Sequence, residues 1–178
     1  MKTTKRLFFI ICLLLTSFIL CKGQGYQKIQ LKDSFDSDDK KANFAVWRTD
    51  YYICTGIAYA KSIGKTPSDF AEFVGNHHSW NGIKGKGLEP AVQVLNGLIK
   101  LYPGGKFEVT SESDTIVNIQ SNRPYKGYFK NDGMLGVTVE EFESCLWGHI
   151  AILANRIGII FTYKIVDDQI ISSLKIKK

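Results

Sequence analysis

The stretch EEFESCLWGHIAIL, Glu140 to Leu153, places a thiol, Cys145, four residues before an imidazole, His149. The segment has helical periodicity, and at that spacing the two side chains stand one above the other on a helix. Such a pair can be a nucleophile with its base, half of a metal site, or two neighbours at the margin of a core. Glu141 extends the row to i, i+4 and i+8. A cationic imidazole lowers the pKa of a neighbouring thiol, whereas a carboxylate opposes that shift and serves better to orient a base. Three groups in one row on a straight helix make a poor triad, because the orienting group should face the base from across it. Catalysis by Cys145, His149 and Glu141 is one expectation. A boundary cysteine beside a half-buried, locally hydrogen-bonded histidine is the plainer one.

The chain has three histidines, and the other two are adjacent, in HHSW, His77 to Trp80. With His149, and with Cys145 or Glu141 to help, His77 and His78 would complete a zinc site of three or four ligands. No HExxH or CxxC spacing accompanies them. The competing reading is a helix C-terminus where His77 meets free carbonyls and Trp80 packs back. The following GIKGKG brings Gly82, Gly85 and Gly87 before a helix, an arrangement that can cradle an anion but reads more simply as a linker. RPYKGYF sets Tyr125, Tyr128 and Phe129 in a loop near Arg123 and Lys126. Those three rings, with Trp80 and His149, are the expected wall or lid of a ligand pocket.

Length and charge bound the rest. Lys2, Lys5 and Arg6 precede an apolar run, Leu7 to Leu20, and Cys21 and Gly23 are small residues before Gln24. This is the layout of a secretory signal peptide over residues 1–23, with a lipid anchor on Cys21 as the lesser alternative. Its removal from 178 residues leaves 155, one domain by size, with no membrane span expected in the mature chain. The leader takes four of the 23 basic residues and none of the 17 acidic ones, so the mature net charge is +2. No basic stripe remains to suggest nucleic acid. The leader also removes Cys12 and Cys21. Cys54 and Cys145 remain and would be free to pair in an oxidising compartment.

The elements that must position these residues follow. Residues 24–41 are a polar lead-in, and residues 42–178 form the domain. A helix is expected from Asn43 to Ile63 with two apolar faces, one holding Phe44, Trp47, Tyr51 and Cys54, the other Val46, Ile53 and Ile57. Thr66, Pro67 and Asp69 start a second helix, and Leu88 to Tyr102 forms a third. KFEVTS and TIVNIQ make one hairpin, IIFTYKIV and QIISSLKIK another. Between them Thr138 and Glu141 cap a long helix whose stripe is Phe142, Leu146, Ile150, Leu153 and Ile157. The fold class is α+β: a four-stranded antiparallel sheet of two hairpins against the long helix, with three helices N-terminal to it.

This order, from Leu88 to Lys178, resembles the vinyl-reductase-like small-molecule-binding domains and the related aminothiazoline-carboxylate hydrolase-like proteins. The resemblance lies in element order. The cysteines that the former often carry at the last hairpin have no counterpart after Cys145. It implies a pocket between helix and sheet for a small, largely apolar molecule. The expected function is thus an exported protein, periplasmic or secreted, that binds such a molecule. The alternatives are a secreted hydrolase using the Cys/His pair or a histidine-held zinc, and a structural or envelope-interaction protein with a filled core.

Overall fold

Two capping boxes start two of the helices. Thr66 accepts from the Asp69 N–H while the Asp69 carboxylate accepts from the Thr66 N–H, and Thr138 and Glu141 repeat the exchange. The computed structural model describes residues 38–130 and 133–177, which belong to one unit, Phe35–Lys178. The expected leader and most of the lead-in lie outside the described residues. Helices α1 (Asp38–Ser62), α2 (Pro67–His77) and α3 (Glu89–Lys100) come first, then strands β1 (Phe107–Glu112) and β2 (Ile116–Asn122). Helix α4 (Val139–Arg156) and strands β3 (Ile159–Val166) and β4 (Gln169–Ile176) complete the described part. Single 3₁₀ turns occupy Asn81–Ile83 and Lys126–Tyr128.

The expected α+β architecture is present. The sheet is antiparallel in the order β1-β2-β4-β3, so the two hairpins join through β2 and β4, with Val117 opposite Leu174 and Ser121 opposite Ile170. Its inner face presents Val117, Ile119, Ile159, Phe161, Ile170 and Leu174, all buried. The whole predicted stripe of α4, Phe142, Leu146, Ile150, Leu153 and Ile157, is buried as well. Removing such side chains from water is worth about 1.5–3 kcal/mol each.

Helix α4 has neighbours on two sides. Trp147 meets Phe161 and Tyr163 of β3, with ring centroids 6.2 and 6.0 Å apart. Across the helix, α2 comes close because Gly75 faces Ile152: a Cβ on Gly75 would stand 2.9 Å from that side chain. The α1 helix begins at Asp38, before Asn43, where its apolar pattern starts. Both expected faces are packed in part. Cys54 of the first and Val46 and Ile57 of the second are buried, while Phe44 and Trp47 of the first are exposed, with their tilted rings 5.9 Å apart. No described helix is long and apolar enough to cross a membrane.

Candidate functional site

The structure brings Cys145, His149 and His78 to one place. They line a groove of about 400 Å³ between α1, α2 and α4. Its apolar walls are Tyr52 and Ile53 from α1, Phe70 and Val74 from α2, and Leu146 from α4; Thr49 adds a hydroxyl. The rings of His78 and His149 lie 6.5 Å apart. His78 is held at the rim because Arg156 Nη1 donates to the carbonyls of Gly75, Asn76 and His78 at 3.0, 2.9 and 3.0 Å. A cation at a helix C-terminus satisfies carbonyls that have no partner within the helix.

The electrostatics keep the thiol and the imidazole neutral. Burial pushes the Cys145 thiol up to about 12. Burial, with the neighbouring His78, pushes His149 below its ordinary value, although the carbonyls of Cys145 and Leu146 favour its proton. A nucleophilic cysteine requires the opposite shift. Glu141 is engaged elsewhere. It accepts from Lys61, with Nζ 2.7 Å from Oε1, and from the Thr138 N–H at 3.0 Å. Partial burial works against its charge, but these partners outweigh it and hold the carboxyl below its ordinary value. Glu141 therefore caps its own helix and ties it to α1.

His77 turns away from the other two histidines. Its Nδ1 lies 2.7 Å from the Phe73 carbonyl, its ring lies tilted against Phe73 with centroids 4.4 Å apart, and it lines a second groove. The expected zinc set of His77, His78 and His149 is thus divided between two grooves. Among the described residues no three His, Cys, Asp or Glu side chains converge on a metal position. Cys54 and Cys145 are both buried free thiols.

The aromatic loop is part of the core. Tyr125 is wholly buried, with its ring 5.6 Å from Tyr102 and 5.3 Å from Phe142. Phe129 packs tilted against Phe142 with centroids 4.9 Å apart, and the Tyr128 hydroxyl donates to Asn43 Oδ1 at 3.1 Å. Trp80 packs half-buried against the same core. Of the five expected ligand-binding residues, only His149 lines the groove. The space expected between helix and sheet holds buried core side chains, and the concavity at the candidate residues lies among the helices.

Sequence reading missed two buried polar systems. Arg123 donates to both oxygens of Glu143, Nε to Oε1 at 2.6 Å and Nη2 to Oε2 at 2.9 Å, and Tyr125 adds a 2.8 Å bond to Oε1. Asp50, wholly buried on α1, accepts from Tyr102. A signal for the first was present. By the helix period Glu143 falls between Ile150 and Trp147, a carboxylate inside an apolar arc.

Fold and groove together define an α+β protein with a hairpin-paired antiparallel sheet and an apolar groove set among its helices. No family model, curated protein or solved structure matches the chain.

Proposed function

We propose that this protein binds a small, largely apolar molecule in the groove between α1, α2 and α4 and does not turn it over. The observation that carries this reading is the groove itself. Its walls are Tyr52, Ile53, Phe70, Val74 and Leu146, with Thr49, His78, Cys145 and His149 as the polar groups among the lining residues. Its volume, about 400 Å³, suits a small ligand. The neutral thiol and imidazole support binding over covalent catalysis. The leader-like residues 1–23 support a place outside the cytoplasm.

The test is titration of the chain beginning at Gln24 with an anilinonaphthalene sulfonate dye. Saturable fluorescence is expected, and Val74→Trp, which fills the groove, should abolish it while circular dichroism stays unchanged. Dye binding that survives Val74→Trp would place the ligand elsewhere and sink the proposal. Mass spectrometry of protein recovered from the producing cells should show an N-terminus at Gln24. A cytoplasmic, full-length chain would refute export.

A further inference from the structure

The sheet ends on two unlike strands. Its edges are β1 and β3, and an edge strand presents backbone N–H and C=O groups that no neighbouring strand has paired. On β1 that row is broken. The register shifts between Val109 and Ser111, and Glu108 and Glu112 are exposed along the strand. A bulge with charged side chains keeps an edge from pairing further.

Strand β3 has no such protection. All eight residues, Ile159 to Val166, pair with β4 in unbroken register, with no proline and one charge, Lys164. Ile160, Tyr163 and Val166 are exposed. None of its residues lines the groove among the helices.

One bond fixes which backbone groups face outward. The Lys177 N–H donates to the Gly158 carbonyl at 2.9 Å, and these two residues continue the β3–β4 register. They are therefore a hydrogen-bonded pair, and such pairs alternate along an antiparallel ladder. Ile160, Thr162, Lys164 and Val166 turn their backbone groups to β4, whereas Ile159, Phe161, Tyr163 and Ile165 turn theirs away. Among the described residues no strand pairs with that side.

We infer that β3 is the interface between two copies of this chain. It pairs antiparallel with the partner's β3 about a two-fold axis at Thr162 and joins two four-stranded sheets into one. The strand's own sequence selects a second copy. Its four outward residues are symmetric about Thr162, so Ile159 meets the partner's Ile165 and Phe161 meets the partner's Tyr163. Each meeting is a hydrogen-bonded pair, and every outward N–H and C=O finds a partner. On the helix side, Phe161, Tyr163 and Trp147 already form a ring cluster, with centroids 6.0 to 6.2 Å apart, and the partner's Phe161 and the partner's Tyr163 extend it. On the outer face Thr162 meets the partner's Thr162 and Lys164 meets the partner's Ile160, so no like charges are opposed. Lys175, beside Ile160 on β4, stands two strand spacings, about 9.5 Å, from the partner's Lys164. A two-fold axis at Lys164 would instead oppose two ammonium groups.

Sedimentation equilibrium of the chain from Gln24 tests this. A species of twice the chain mass should form as concentration rises to about 200 µM. Thr162→Lys and Thr162→Glu each oppose like charges across the axis. Each should weaken the dimer at least about tenfold and leave circular dichroism unchanged. Mixing the two variants should restore it, and Thr110→Lys on the bulged edge should change nothing. Thr162→Cys should link two copies by a disulfide when oxidised glutathione takes up the thiol electrons. Cα atoms of such a non-hydrogen-bonded pair lie about 4.5 Å apart, within disulfide reach. Ile160→Cys, which faces the partner's Lys164, should not link. A chain monomeric at about 200 µM would overturn the interface. So would a dimer indifferent to both Thr162 charges, or no recovery in the mixture. Should either charge unfold the chain, the cross-link decides, and its absence overturns the proposal as well.

Discussion

The Tyr102 hydroxyl donates a 2.6 Å hydrogen bond to Asp50 Oδ1 inside the core, joining the segment just after α3 to the middle of α1. The second carboxylate oxygen, Oδ2, is buried without a hydrogen-bond partner. Burial pushes Asp50 from its ordinary 3.8 up to about 6, although the Tyr102 bond pulls the other way. The same burial, with Asp50 beside it, pushes the Tyr102 hydroxyl up as well. A carboxyl whose pKa is raised on folding holds its proton better in the folded chain. Its contribution to stability is complete below about pH 4 and is lost as pH rises through 6.

Asp50→Asn therefore separates the variant from the parent in pH dependence. The loss on ionising Asp50 is on the order of 3 kcal/mol between pH 4 and pH 7.5. Asparagine keeps an acceptor for Tyr102 and no charge. Urea midpoints should show the parent losing stability relative to the variant across that window. Parallel pH profiles for the two chains would show that Asp50 titrates normally.

Arg123 and Glu143 form a buried, two-point ion pair, with side chains 8% and 2% exposed. Arg123→Ala strands the carboxylate with Tyr125 as its remaining side-chain hydrogen-bond partner. The expected cost is about 3–5 kcal/mol. Replacing both at once, Arg123→Met with Glu143→Leu, should cost less than Arg123→Ala alone. A double variant less stable than that single one in urea would show that the pair itself stabilises the fold.

Burial pushes both Cys54 and Cys145 up to about 12, with Asp50, Cys145 and Glu141 adding to the shift at Cys54. In the chain from Gln24 both should resist iodoacetamide at pH 7.5 and react only after unfolding. Rapid alkylation of one native thiol would reopen the reading of Cys145 and His149 as a nucleophile with its base.

Gly75→Ala puts a methyl group 2.9 Å from the Ile152 side chain, across the contact between α2 and α4. Overpacking of this kind costs about 1–3 kcal/mol. Ile152→Val in the same chain still leaves Cβ and Cγ2 in the way, whereas Ile152→Gly removes both. Thermal melts should therefore show relief of the Gly75→Ala penalty with Ile152→Gly beyond that seen with Ile152→Val. Equal relief by both would mean that the helices had simply moved apart.

Much of the fold was legible because its signals are local. The capping residues Thr66 with Asp69 and Thr138 with Glu141 act on backbone three residues away. The alternation in β2 and β4 and the stripe of α4 record which side of each element meets a core. The α3 face of Leu88, Val92, Leu95, Ile99 and Tyr102 was readable in the same way and is buried throughout. The candidate site was legible only in part. Cys145 and His149 do share an edge of α4, but three aromatic residues expected as a lid anchor the core instead.

The sequence by itself determined the elements, their caps, the hairpin pairing and the apolar stripe of α4, since each depends on residues within a turn or two of one another. Only the tertiary structure decided which groups meet across the chain. It set Glu143 against Arg123 and Asp50 against Tyr102, turned His77 from His78, and brought the Phe70 ring against Gly56. Those pairings depend on how helix axes cross and how closely they approach. That geometry is a property of all the side chains packed together, and no local period encodes it.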